Sequence, residues 1–171
     1  MVKNARLKVM KGEAAYERDS VVFDHAEYSW PLLAALLWIA CENGDRLNLL
    51  DFGGSIGSSY FQNEFFLRHL GELRWGIVEQ PRYVEFGKAA LETRELRFYR
   101  TVEECVREQG PSTLLLSSVL MYLEHPYEFL ASMEQFGFSH VIVDRTCLVA
   151  DREDVLMVQK VPPSIFPASY P

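Results

Sequence analysis

One acid and three glycines stand together between Leu47 and Gly57, a stretch that reads Leu-Asn-Leu-Leu-Asp-Phe-Gly-Gly-Ser-Ile-Gly. A short apolar run ends in Asp51, Gly53, Gly54 and Gly57 follow, and Ser58-Ser59 open what reads as a helix. Glycine lets a backbone take unusual φ and approach a ligand closely. A helix start offers N–H groups to a ligand's negative end. In an open α/β sheet this strand-to-helix turn is where ligands sit. A second acid, Glu79, ends the next apolar run, 22 residues beyond Gly57 and just before Gln80-Pro81. An acid about 20 residues past such glycines hydrogen-bonds ribose hydroxyls, so the pair points to a nucleoside.

Two common nucleotide motifs do not fit. A phosphate-cradling loop needs Gly-x-x-x-x-Gly-Lys-Ser/Thr, and no lysine lies between Lys11 and Lys88. The dinucleotide fingerprint needs Gly-x-Gly-x-x-Gly, but the frame from Gly53 meets Ser55 and Ser58, and the frame from Gly54 meets Ile56 and Ser59. What remains is Asp-x-Gly-x-x-x-Gly over Asp51, Gly53 and Gly57.

The elements around these residues follow from hydrophobic patterning. Met1 to His25 is mixed and reads as irregular or partly helical. Trp30 to Asn43 reads as a helix with Pro31 in its first turn and Gly44 past its end. It is apolar on nearly every face, which predicts burial. Strands follow at Leu47–Phe52, Leu73–Glu79, Leu96–Tyr99, Ser112–Leu120 and His140–Asp144, the fourth reading as central and buried. Helices alternate with them at Ser58–Leu70, Pro81–Glu92, Val102–Glu108 and Pro126–Phe136. In the first of these, Phe61, Phe65 and Phe66 are expected on the core side. Five strands alternating with helices predict a doubly wound α/β domain with a parallel sheet. Val155–Val161 reads as a further strand. Its link to the fifth strand is too short for a crossover helix, so the pairing must be antiparallel. Pro162 to Pro171 holds four prolines and cannot continue a sheet. A sheet that ends there leaves an open edge, which favours self-association.

Composition narrows the function classes. With 171 residues, 49% of them hydrophobic, the chain is long and apolar enough for one globular domain. Its formal charge is −7, and its basic residues are scattered without a stripe, which argues against nucleic acid as the main partner. The apolar run Pro31–Cys41 is shorter than the roughly 20 residues a membrane span takes. Cys41, Cys105 and Cys147 are odd in number and far apart, which fits neither a disulfide framework nor a zinc site and suggests a reducing cytoplasm. His25, His69 and His140 are scattered and suggest no metal site.

The glycine motif resembles the first motif of class I S-adenosylmethionine (SAM) methyltransferases, with Ser55 in place of the usual central glycine. Ser117-Ser118-Val119-Leu120-Met121-Tyr122, running on to His125-Pro126, is similar to the fourth motif of small-molecule methyltransferases, where the chain passes under the transferred methyl. Asp51-Phe52-Gly53-Gly54-Ser55, Val78-Glu79-Gln80-Pro81, Ser117-Ser118-Val119-Leu120, Asp144-Arg145-Thr146 and Val158-Gln159-Lys160-Val161-Pro162-Pro163 recur in this order. Together they resemble a bacterial family of SAM-dependent methyltransferases often met beside surface-polysaccharide genes. The likeness covers the chain from Tyr16 onward. The family pattern continues past Ala168-Ser169-Tyr170-Pro171 into another helix and the last strands, so this chain is expected to be truncated relative to it. After the third strand, where the family often carries an acid near the adenine, the chain has Arg100 and Thr101.

The resemblance implies a single Rossmann-like domain over residues 1–171, with strand order 3-2-1-4-5. Residues 1–28 are its N-terminal extension, and an antiparallel edge strand follows the fifth strand. It implies SAM as cofactor, bound by Asp51, Gly53, Gly54, Ser55, Gly57, Glu79, Gln80, Ser117 and Ser118. The acceptor is a small molecule, with a sugar or polysaccharide precursor preferred, and Tyr16, Tyr122 and Arg145 line its pocket. Methyl transfer from a sulfonium is an in-line displacement that mainly needs positioning, and a hydroxyl acceptor gains from a general base. His125 is the first candidate base and Asp144 the second. Two rivals remain: a NAD-dependent or nucleotide-sugar enzyme, and a SAM-binding or scaffold protein without catalysis.

Overall fold

The computed structural model describes residues 2–18, 21–25 and 27–148, with Lys160 and Pro162. The chain divides into two compact units, Glu27–Thr146 and a second unit made of the chain on either side of it. The second unit has helix α1 (Val2–Met10) and an antiparallel hairpin of β1 (Tyr16–Arg18) and β2 (Val21–Phe23). Ala5, Tyr16 and Glu17 are buried there, and the rings of Tyr16 and Phe23 lie 5.8 Å apart. The hairpin is a correction to the irregular segment expected from sequence: two three-residue strands are too short to show an alternating pattern.

The unit Glu27–Thr146 is an α/β sandwich. Its elements are α2 (Trp30–Glu42), β3 (Arg46–Phe52), α3 (Ser58–Leu67), β4 (Glu72–Val78), α4 (Pro81–Ala90), β5 (Leu96–Tyr99), α5 (Val102–Gln109), β6 (Thr113–Ser117), α6 (Pro126–Met133) and β7 (His140–Asp144). Short 3-10 turns lie at Leu120–Tyr122 and Glu134–Phe136. The five strands form one parallel sheet in the order β5-β4-β3-β6-β7. Because the hairpin precedes the sheet, the chain's strand numbers do not run as 3-2-1-4-5. The antiparallel edge strand expected at Val155–Val161, and the proline-rich tail beyond Pro162, lie outside the described residues.

The sheet is the core. Leu49, Leu50, Trp75, Ile77, Leu96, Phe98 and Leu114 to Leu116 are all fully buried. β6 is buried at every position, as its Leu-Leu-Leu run predicts for a strand covered on both faces. It is shorter than the sequence suggests, because Ser118 turns left-handed (φ +58°) and sends the chain into the 3-10 turn. Strand order reverses between β3 and β6, so their carboxyl ends flank the crevice where open α/β sheets bind ligands.

Two helices pack differently from expectation. α3 buries Ser59, Tyr60, Asn63 and Leu67, while Phe65 is 57% exposed. Its polar inner face is tolerated because Asn63 Nδ2 donates to Ser59 O (2.8 Å) and Gln62 donates to Glu27 O. α2 is not buried all round: Leu32, Leu33, Leu36, Ile39 and Ala40 face the core, but Trp30 and Trp38 are 60% and 57% exposed.

Candidate functional site at the carboxyl edge of the sheet

The turn from β3 into α3 is built around backbone that side chains would spoil. Gly53 has φ +71°, and its N–H donates to Val78 O at 2.9 Å, extending the ladder one residue past β3. A Cβ there would lie 2.7 Å from Val119 Cγ2, so the loops after β3 and β6 touch at this point. A Cβ on Gly54 would lie 2.5 Å from Asp51 Oδ2. Gly57, at φ +91°, is the residue from which α3 starts.

Asp51 is the buried charge of the site. Only 1% of it is exposed, Trp75 Nε1 donates to its Oδ2 at 3.1 Å, and its Oδ1 has no hydrogen-bond partner. Burial disfavours the ionised form and raises its pKa to about 7; the Trp75 bond and the Arg145 charge oppose this, and the Glu79 and Asp144 charges reinforce it. Glu79, Asp144 and Arg145 thus all act on the charge of Asp51 at one edge of the sheet.

Glu79 follows β4 directly, and its N–H donates to Tyr99 O at 3.2 Å. Its carboxylate accepts the backbone N–H groups of Gln80 and Ser55. Burial raises its pKa and these two donors hold it partly down. The Ser55 bond ties the acid to the glycine turn, which brings together two features that the sequence separates by more than twenty residues. Gln80 is exposed and starts α4, its carbonyl accepting the N–H groups of Tyr83 and Val84.

β6 and β7 end in register, with Ser117 opposite Asp144. Ser117 Oγ donates to Asp144 Oδ2 (2.8 Å) and accepts from Arg145 Nη2 (2.9 Å) and Nε (3.2 Å). Arg145 Nε also lies 3.4 Å from Asp144 Oδ2. Ser118 N–H donates to Asp144 O (2.9 Å). From the start of α2, Ser29 Oγ donates to Asp144 Oδ1 (3.2 Å). Ser29 stands where a helix cap belongs, yet its hydroxyl makes no cap bond. A serine before Trp-Pro reads as a cap, and nothing in the sequence points it to Asp144.

Backbone strain gathers at this edge. Four described non-glycine residues have left-handed φ, and three of them, Ser55 (+54°), Ser118 (+58°) and Arg145 (+48°), follow the carboxyl ends of β3, β6 and β7. Each such residue costs on the order of 1–3 kcal/mol, and such residues cluster at functional sites.

Two further sequence candidates lie at the surface. His125 precedes α6 with its side chain 64% exposed, 3.9 Å from both Glu124 and Glu128. Tyr122, in the 3-10 turn, is 58% exposed. Tyr16 is buried in the other unit. Among the described residues no group of His, Cys, Asp and Glu is set to hold a metal ion, and no helix is long and apolar enough to cross a membrane. A hollow of about 270 Å³ beside α6 is lined by Leu114, Leu130, Met133, Phe138 and Val141, with Glu134 its one charged group. It lacks the converging polar groups that orient a ligand. The chain matches no protein-family model, no curated protein and no solved structure.

Proposed function

We propose that the carboxyl edge binds SAM and that the chain transfers its methyl group to a small-molecule acceptor. The observation that carries this reading is electrostatic. Two carboxyl groups, Glu79 and Asp144, and one guanidinium, Arg145, act on the charge of the buried Asp51 beside the glycine turn, so carboxyl groups outnumber the cation that pairs with Asp144. SAM carries a sulfonium and an ammonium against one carboxylate and is a net cation. A nicotinamide dinucleotide brings an anionic pyrophosphate, which an edge with more carboxyl groups than cations disfavours, and the turn lacks the glycine fingerprint that would hold it. What supports the cation is the orphan Oδ1 of Asp51, an unused acceptor, and an acid, Glu79, directly after β4, where nucleoside-binding α/β folds use one for ribose hydroxyls.

In this reading Glu79 accepts the ribose hydroxyls. The Gly53–Gly57 turn lies along the methionyl part, and Ser117, Ser118 and Val119 form the floor under the reacting methyl. When bound, SAM supplies an electrophilic methyl on a good leaving group, so the protein's work is to align donor and acceptor. Asp144 already accepts from Ser29, Ser117 and Arg145, and this role is one of positioning: it locks the ends of β6, β7 and α2 together. His125 lies outside this network, so the reading assigns it no proton transfer.

The test is transfer of a labelled methyl from SAM to a panel of hydroxylated and amine acceptors, with Glu79→Ala as control. Transfer by the unaltered chain that falls at least tenfold in the variant supports the reading. Binding of S-adenosylhomocysteine without transfer to any acceptor would make the chain a SAM-binding protein instead.

A further inference from the structure

Resting on the methyl-transfer reading, we infer that Trp30, backed by Tyr28 and Phe66, is the platform on which the acceptor stacks, and that the acceptor is a flat-faced ring bearing a hydroxyl at its rim. Tyr28 and Trp30 flank Ser29, the residue that reaches Asp144. Tyr28 packs against Trp30 (5.2 Å between centroids) and edge-on to Phe66 of α3 (5.3 Å), and Trp30 meets Phe66 at 6.2 Å. Glu27 O is held by Gln62 of the same helix. The segment Glu27–Trp30 is therefore anchored to α3 on one side and to the end of β7 on the other.

Solvation makes this arrangement informative. Trp30 leaves 60% of its surface in water although its neighbours hold it in place. Fixed, exposed aromatic rings are typical binding anchors, because they offer a large apolar face with little conformational freedom to lose. One residue away, the Ser29 hydroxyl, which donates to Asp144, keeps its acceptor capacity. A ligand matching both has an apolar face for Trp30 and a rim hydroxyl that donates to Ser29 Oγ. A pyranose and a phenol both have this chemistry.

Trp38 provides an internal control. It lies two turns further along α2, is 57% exposed, and stands edge-on to His140 at the amino end of β7. It is as bare as Trp30 but at the wrong edge of the sheet.

Saturation-transfer NMR on the full chain, with methyl pyranosides as one arm and 4-methylphenol as the other, tests the inference. In one arm the unaltered chain should saturate the probe's ring protons. Trp30→Ala should reduce that signal at least tenfold, Trp30→Phe by less than about threefold, and Trp38→Ala not at all, with S-adenosylhomocysteine affinity unchanged throughout. The responding arm identifies the source. No saturation in either arm, or equal loss in Trp38→Ala and Trp30→Ala, overturns the platform. Ring binding that depends on Trp30, in a chain that does not bind S-adenosylhomocysteine, keeps the platform and overturns the methyl-transfer reading.

Discussion

Replacing Asp51 by asparagine should stabilise the protein at pH 8 and do so far less at pH 5. The carboxyl is 1% exposed, and burial raises its pKa to about 7, against about 3.9 in an unfolded chain. The folded state therefore holds more protons than the unfolded state between about pH 4 and pH 7. Over that window stability falls as pH rises, and above the folded pKa the loss is complete. At 1.36 kcal/mol per pH unit, the cost of the charge is about 4 kcal/mol at pH 8 and about 1–2 kcal/mol at pH 5. The asparagine removes this cost but brings an amide N–H beside Gly54, where a lost hydrogen bond costs about 1–2 kcal/mol at any pH. The two effects separate by pH. The stability difference between variant and unaltered chain should be about 2–3 kcal/mol more favourable at pH 8 than at pH 5. Urea unfolding at both pH values measures it, since the slope should not change with a single buried substitution. An equal difference at the two pH values would refute the buried, proton-holding Asp51.

Glu79→Ala removes a charge-assisted hydrogen bond of roughly 1.5–3 kcal/mol, so affinity for S-adenosylhomocysteine should fall about 10- to 100-fold by calorimetry; an unchanged affinity would remove Glu79 from the ribose. Gly87→Ala should cost about 1–3 kcal/mol in urea unfolding, because the new Cβ would lie 2.5 Å from the fully buried Phe98 ring. Thr101→Ala should cost about 1 kcal/mol, because Thr101 Oγ1 caps α5 by accepting from Glu104 N–H (3.1 Å); Thr101→Ser should restore most of it. Gly53→Val is a poor probe of ligand binding, since its Cβ would clash with Val119 in a backbone at φ +71°, and it should lower stability even without ligand.

The sheet was legible because each strand of β3 to β7 is an apolar run bounded by a turn signal and separated by a helix-length segment. The gathering of Asp51, Gly53, Gly57 and Glu79 at one edge of the sheet was legible because strand ends can be read from hydrophobic runs. Asp144 came from the same logic, and its pairing with Ser117 follows from parallel register. Ser29 was not legible, because a serine before a helix has an adequate local explanation and its bond to Asp144 spans more than a hundred residues of chain. Nor were the outward faces of Trp30 and Trp38, because a helix apolar on nearly every side gives no periodicity to tell inside from outside, nor that of Phe65, because α3 turns polar residues inward. The hairpin β1–β2 failed for want of length. His125 was chosen for its residue type and its place after β6, but the 3-10 turn between carries it out to the surface.

The central claim is that a cationic nucleoside, not an anionic dinucleotide, binds at the carboxyl edge. Titration calorimetry with SAM and with NAD, on the unaltered chain and on Glu79→Ala, tests it most directly. The account predicts saturable binding of SAM that weakens about 10- to 100-fold in the variant, and no heat from NAD. Binding of NAD, or binding of SAM indifferent to Glu79, would contradict it.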